Sequence, residues 1–82
     1  MTLSKEETIM ALLNQWDPDG RYAGGAGFRA YSYEAETLAQ SIRSNSRMET
    51  VERAIVDAFV GTELDETDVN VIARYIKATV KK

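Results

Sequence analysis

NQWDPDGRYAGGAGF, residues 14–28, gathers the chain's only proline, its only tryptophan and four of its five glycines. This stretch decides the fold. Pro18 keeps Asp17 out of the right-handed α region, so a helix arriving from the N-terminus must end at about Trp16. Asp17-Pro18-Asp19-Gly20 then has the composition of a type I turn: the aspartate bonds back to the chain, the proline presets φ and the glycine closes it. The turn needs no ligand to explain it. Trp16 extends the apolar stripe of the preceding segment, which predicts that its indole anchors the helix end in the core.

Working outward, four helical segments emerge. Upstream, Ser4 and Glu7 have the spacing of a capping box, and Ile9, Leu12, Leu13 and Trp16 recur at helical intervals behind them. Downstream of the quoted stretch, Ala35, Leu38, Ala39 and Ile42 repeat that spacing after Ser32. Ser46 with Glu49 predicts another capped start, followed by the stripe Met48, Val51, Ile55, Ala58 and Phe59, with Gly61 expected in a left-handed residue at the helix end. Asp65 opens a last segment with Val69, Ile72, Ala73, Ile76 and Val80 inward; its acidic first turn and basic last turns complement the helix macrodipole.

The expectation is an all-α fold: one domain, 1–82, of four helices at about 4–16, 32–44, 47–60 and 66–81, with one long loop between the first two. Met10, Val56 and Val71 are left as spare apolar positions. Val71, Tyr75 and Ala78 make a second stripe on the last helix, so a homodimer is one expected use of that face.

Composition removes several chemistries. With no cysteine there is no disulfide or thiolate, and with no histidine the commonest general base and transition-metal ligand are missing. A net charge of −3 argues against a general nucleic-acid binder. The excess lies in residues 1–41, where Lys5, Arg21 and Arg29 face six acids; the second half balances. No apolar run reaches the length of a membrane span, and MTLSKEET has no signal-peptide core. A cytoplasmic protein is expected, with no cofactor, metal, membrane or nucleic acid among its partners.

Three chemistries compete for the quoted loop. Asp17, Asp19 and Gly20 look like the start of a calcium loop, but counting from Asp17 puts Arg21, Tyr22 and Phe28 where a ligand, a glycine and a glutamate are required. GRYAGGAG is glycine-rich, yet no Gly-Lys-Ser/Thr follows to make a phosphate loop. A partner-binding surface fits better: Asp19, Arg21, Tyr22, Phe28, Arg29, Tyr31 and Tyr33 alternate with small residues, and arginine and tyrosine are enriched at interface hot spots. The competing reading folds Phe28 and one or two of the tyrosines back over the helix ends. An enzyme would have to draw its acid and base from Asp17, Asp19 or Glu34. A small-ligand pocket would lie between Trp16, the glycines and Tyr31 or Tyr33.

Asn14, Trp16, Asp17, Pro18 and Gly20 together resemble the Asn-x-Trp-Asp-Pro-x-Gly signature of a family of small bacterial all-helical domains of unknown function. The similarity continues through the aromatic-acidic run Tyr31–Glu36 and through METVERAIVDAFV, residues 48–60. Asp19 and Arg21 stand where that family's pattern has apolar residues, so a surface built there is altered in this chain. The resemblance implies an all-helical cytoplasmic bacterial domain with no assigned activity. Some small bacterial proteins of similar architecture are immunity partners of toxins, which is an analogy of fold alone. The expected function is a non-enzymatic protein–protein interaction module. The alternatives are a toxin-immunity-type partner and a regulatory domain binding a small molecule beside Trp16.

Overall fold

The computed structural model describes residues 3–43 and 45–80. They form four α-helices: α1 (Lys5–Trp16), α2 (Ser32–Ser41), α3 (Met48–Ala58) and α4 (Glu66–Val80). No strand occurs among the described residues. α1 packs against both α2 and α4, while α3 lies along α4 and touches α2. The result is flat, with principal extents of 34 × 33 × 17 Å.

The predicted capping box explains where α1 begins, and a cap that the spacing did not announce explains where α4 begins. Ser4 N–H donates to Glu7 Oε1 at 3.0 Å and Glu7 N–H donates to Ser4 Oγ at 3.1 Å, a closed capping box. The Ser4 backbone N–H, with the Ser4 side chain adding, holds the Glu7 carboxyl below its ordinary pKa. At α4, Asp65 Oδ1 accepts from Thr67 N–H at 2.8 Å and Asp68 N–H at 3.4 Å. The stop is also where Pro18 puts it. Asp17 leaves the helix in a left-handed conformation (φ 49°, ψ 56°), with its N–H still bonded to Leu13 O at 2.7 Å.

The stripes close on one core. Ile9, Leu13, Leu38, Val51, Ile55 and Ile76 are fully buried, each stabilising the fold by about 1.5–3 kcal/mol through lost apolar exposure.

Several expectations need correcting. α2 ends at Ser41, because Ile42 turns extended (φ −100°, ψ 130°) and buries its side chain in the core; Ser44 lies outside the described residues. α3 starts at Met48 with Arg47 in the cap position and no side-chain cap, since Ser46 Oγ is taken by Arg43 N–H at 2.9 Å. α3 also stops at Ala58, and Gly61 takes its φ of 91° in the following turn, where Thr62 N–H reaches Phe59 O at 3.0 Å. Met10, expected to be spare, is a core residue at 1% exposure. Trp16 is partly buried and meets the core through Phe59, ring centroids 5.6 Å apart in an edge-on arrangement. Lys81 and Lys82 lie outside the described residues.

The long loop is also more ordered than its glycines suggest. It contains one π-type turn, Tyr22–Ala26, and one 3-10 turn, Phe28–Tyr31.

Candidate functional site

One tyrosine organises the segment between α1 and α2. The 3-10 turn delivers Tyr31 into the core, where its ring lies 5.7 Å from that of Phe59. Its hydroxyl donates to Asp17 Oδ1 at 2.6 Å and accepts from Asp19 N–H at 3.1 Å and, more weakly, Arg21 N–H at 3.4 Å. A phenol has one donor and two acceptor positions, so this one is saturated. Burial, with the bond to Asp17 adding, raises the pKa of the Tyr31 hydroxyl.

Asp17 is the other anchor. Its Oδ1 also accepts from Tyr22 N–H and its Oδ2 from Ala23 N–H, each at 3.0 Å, so the carboxylate caps the start of the π-type turn. The Tyr31 hydroxyl bond holds the Asp17 carboxyl below its ordinary value against the opposing effect of burial, with Ala23 and Tyr22 N–H assisting.

Arg21 ties this loop to α2. Its Nη2 and Nε approach Asp19 Oδ2 at 2.9 and 3.0 Å, and its Nη1 donates to Glu34 Oε2 at 3.0 Å and to Ala30 O at 3.3 Å. Both ion pairs among the described residues therefore belong to one guanidinium. That group also lies 5.0 Å above the Tyr31 ring, a cation–π contact. Burial works to lower the Arg21 pKa, but the bonds to Glu34 and Asp19 outweigh it and raise it. Glu34 is 6% exposed, so pairing offsets the desolvation of its charge.

Asn14 completes the attachment, donating from Nδ2 to Phe28 O at 2.8 Å. Two acceptors beneath the loop, Asn14 Oδ1 and Glu34 Oε1, are buried without a hydrogen-bond partner, each a local cost of about 1–3 kcal/mol. The signature residues thus have structural work: Asn14 holds the 3-10 turn, Trp16 meets Phe59, and Asp17 receives Tyr31.

The expected recognition residues divide into two sets. Tyr22, Phe28, Arg29 and Tyr33 are exposed, Tyr33 the most of the three aromatics at 74%. Tyr31 is not on the surface. Its exposure is 0%, because its ring fills the core beside Phe59 while the loop backbone satisfies its hydroxyl. Arg21 is partly buried with its charge committed to Asp19 and Glu34, and Asp19 is exposed but paired. The residues proposed for a small-ligand pocket are not brought together either. Tyr31 is in the core, Tyr33 is in solvent, and Trp16 lines a shallow groove with Leu12, Val71 and Tyr75. Among the described residues no three Asp or Glu side chains converge as a metal site would require.

The sequence reading missed the pairing of Arg21 with Glu34. Thirteen residues separate them, and no local spacing rule connects a loop arginine to the inward side of the next helix. The glycines divide as well. Gly25 needs its freedom, at φ 98°, whereas Gly24 has neither a positive φ nor any atom within 4 Å of where a Cβ would stand. Comparison with family models, curated proteins and solved structures finds no match to this chain, so its function has to be read from the site itself.

Proposed function

We propose that the chain is a non-enzymatic protein–protein interaction module whose recognition face is the outer side of residues 19–33. One observation carries the reading. On the inner side of this segment Asp17, Arg21, Tyr31 and Glu34 direct their polar atoms at one another and at the backbone, while Tyr22, Phe28, Arg29 and Tyr33 stand exposed outside. A loop held from beneath loses little conformational freedom when it binds, so more of its contact energy is available as affinity. Exposed tyrosine and arginine on such a support suit a partner's surface.

The test is capture of partners from a lysate of the protein's own cells, using the wild type and a variant carrying Tyr22→Ala, Arg29→Ala and Tyr33→Ala. The expected outcome is a protein retained by the wild type and lost by the variant, with unfolding of the two indistinguishable. Equal retention by both, or no specific retention by either, sinks the reading. A toxin-immunity partnership is a special case, recognised by the identity of the captured protein. Self-association through α4 is a second reading, favoured by the exposed Val71 and Tyr75 beside the Trp16 groove. A strict monomer in light scattering of concentrated protein removes it.

A further inference from the structure

α3 and α4 leave an open groove of about 1230 Å³ between them. The buried Phe59 and Val69 and the partly buried Leu64 form its apolar lining. Val56 and Val60 border it in the open, and Val60, 84% exposed, is the most exposed large apolar side chain among the described residues. Four carboxylates, Glu49, Glu52, Asp57 and Glu66, line the same groove against a single cation, Arg53, a net charge of −3. Among the described residues none of the four is ion-paired, and only Glu52 accepts a side-chain hydrogen bond, from Asn70 Nδ2 at 3.3 Å.

Two of these charges have a local reason. Glu49 and Glu66 sit in first helical turns, where the macrodipole favours a carboxylate. Asp57 has none. It lies at the C-terminal end of α3, where the dipole repels an anion, and no basic residue occupies that turn. An acid that its helix terminus disfavours and that forms no ion pair among the described residues, lying in the chain between the exposed Val56 and Val60, is open to a cation from outside.

We propose that this groove docks a basic amphipathic helix of a partner protein, with its apolar face over Val56 and Val60 and its lysine or arginine side chains against Asp57 and Glu52. A helix fits because apolar grooves between helices take helical anchors, and no sheet edge is present among the described residues for strand addition. Phosphate-bearing ligands are repelled by the charge. A second copy meeting this groove about a two-fold axis would set one −3 surface against another. The inference rests on other residues than the loop reading: the groove and residues 19–33 share none, although they touch where Phe59 meets Tyr31 and where the Thr62 hydroxyl reaches Asp19 at 3.4 Å.

The experiment titrates the full chain into a fluorescent synthetic peptide of about fourteen residues, four helical turns, with leucine on one face and lysine flanking it. Control peptides replace every lysine by glutamate or every leucine by serine. At about 0.15 M salt the leucine–lysine peptide is expected to bind about tenfold or more tighter than either control. Amide shifts should gather at residues 53–69. Val60→Asp should weaken binding about tenfold. Asp57→Asn should weaken it several-fold while raising the melting temperature, a pair of opposite effects that a merely solvated aspartate would not give. Absence of binding, equal affinity for the two charge patterns, or shifts centred on Tyr22–Tyr33 or Val71–Tyr75 overturns the proposal. So does a dimer that Val60→Asp dissociates, because the occupant is then a second copy.

Discussion

The Arg21 cluster and the α3–α4 groove are built from the same residue types and treat them in opposite ways. Under the loop, one guanidinium meets two carboxylates, a phenol lies beneath it, and one of those carboxylates is buried. Along the groove, four carboxylates, three of them on α3 with the single Arg53, form no ion pair among the described residues. Charge used inside the fold stabilises it only with every partner in place, so each deletion there is costly. Charge left in solvent contributes little to folding and can be changed freely. The first region should therefore respond in stability and the second in binding.

The largest effect is expected at Tyr31. Tyr31→Ala removes a fully buried ring and the hydroxyl that joins Asp17, Asp19 and Arg21, and should cost about 3–5 kcal/mol in urea unfolding. A cost near that of a surface substitution would show that the loop is held by something else. Arg21→Met strands the Glu34 carboxylate. Because the Arg21 side chain is 38% exposed, the loss should fall below the range for a fully buried pair, at about 2–3 kcal/mol. Adding Glu34→Gln should recover part of it; a double variant no more stable than the single would break the argument that the two are coupled.

Tyr31→Phe keeps the ring and deletes only the hydroxyl, for a loss of about 1–2 kcal/mol. It should also change the pH dependence. The native Asp17 carboxyl titrates below its ordinary 3.8, so its contribution is complete above that pH and disappears as pH falls through the lower native value. Removing the hydroxyl brings the native value back toward 3.8, and the fall in stability on the acid side should become shallower. Unfolding measured from neutral to strongly acid pH checks this, and an unchanged acid limb contradicts it.

Two adjacent glycines sharpen the picture of the loop. Gly25→Ala forces a side chain onto φ 98° and should destabilise by about 1–2 kcal/mol. Gly24→Ala, with no such strain and nothing to clash with, should stabilise by about 0.4–1 kcal/mol. Effects of the same sign would mean that the π-type turn is wrongly described. The smallest change is expected in the groove, where Val60→Asp should leave stability within about 0.5 kcal/mol; a larger loss would make Val60 part of the core.

Much of the architecture is legible in short-range patterns. The Ser4–Glu7 box, the Pro18 stop, the start of α4 near Asp65 and the apolar stripes all act within a few residues, and each appears about where its spacing predicts. Where two local signals compete, spacing alone misleads. Ser46 has the position of a cap, but the turn before it takes the hydroxyl first. Met10 is off the main stripe of its helix yet buried, because α1 is packed on two sides, by α2 and α4. The site itself was least legible. An alternating run of aromatics does not say which ring turns inward, and only contact with Phe59 and Asp17 selects Tyr31. The groove was hidden for another reason. The charges of residues 42–82 sum to zero, and only the packing of α3 along α4 gathers the acids of α3 and of the start of α4 at one groove that Arg74 and Lys77 do not line.

Phe59 belongs to both regions. Its ring borders the groove and rests against both Tyr31 and the chain's sole indole. The protein thus carries a built-in optical gauge to be tried: pressure on that ring from the groove is expected to alter the surroundings of Trp16 and with them the colour and yield of its emission. Molecules arriving there can be followed without a dye, and Phe59→Leu should blunt the signal while the groove remains open to them.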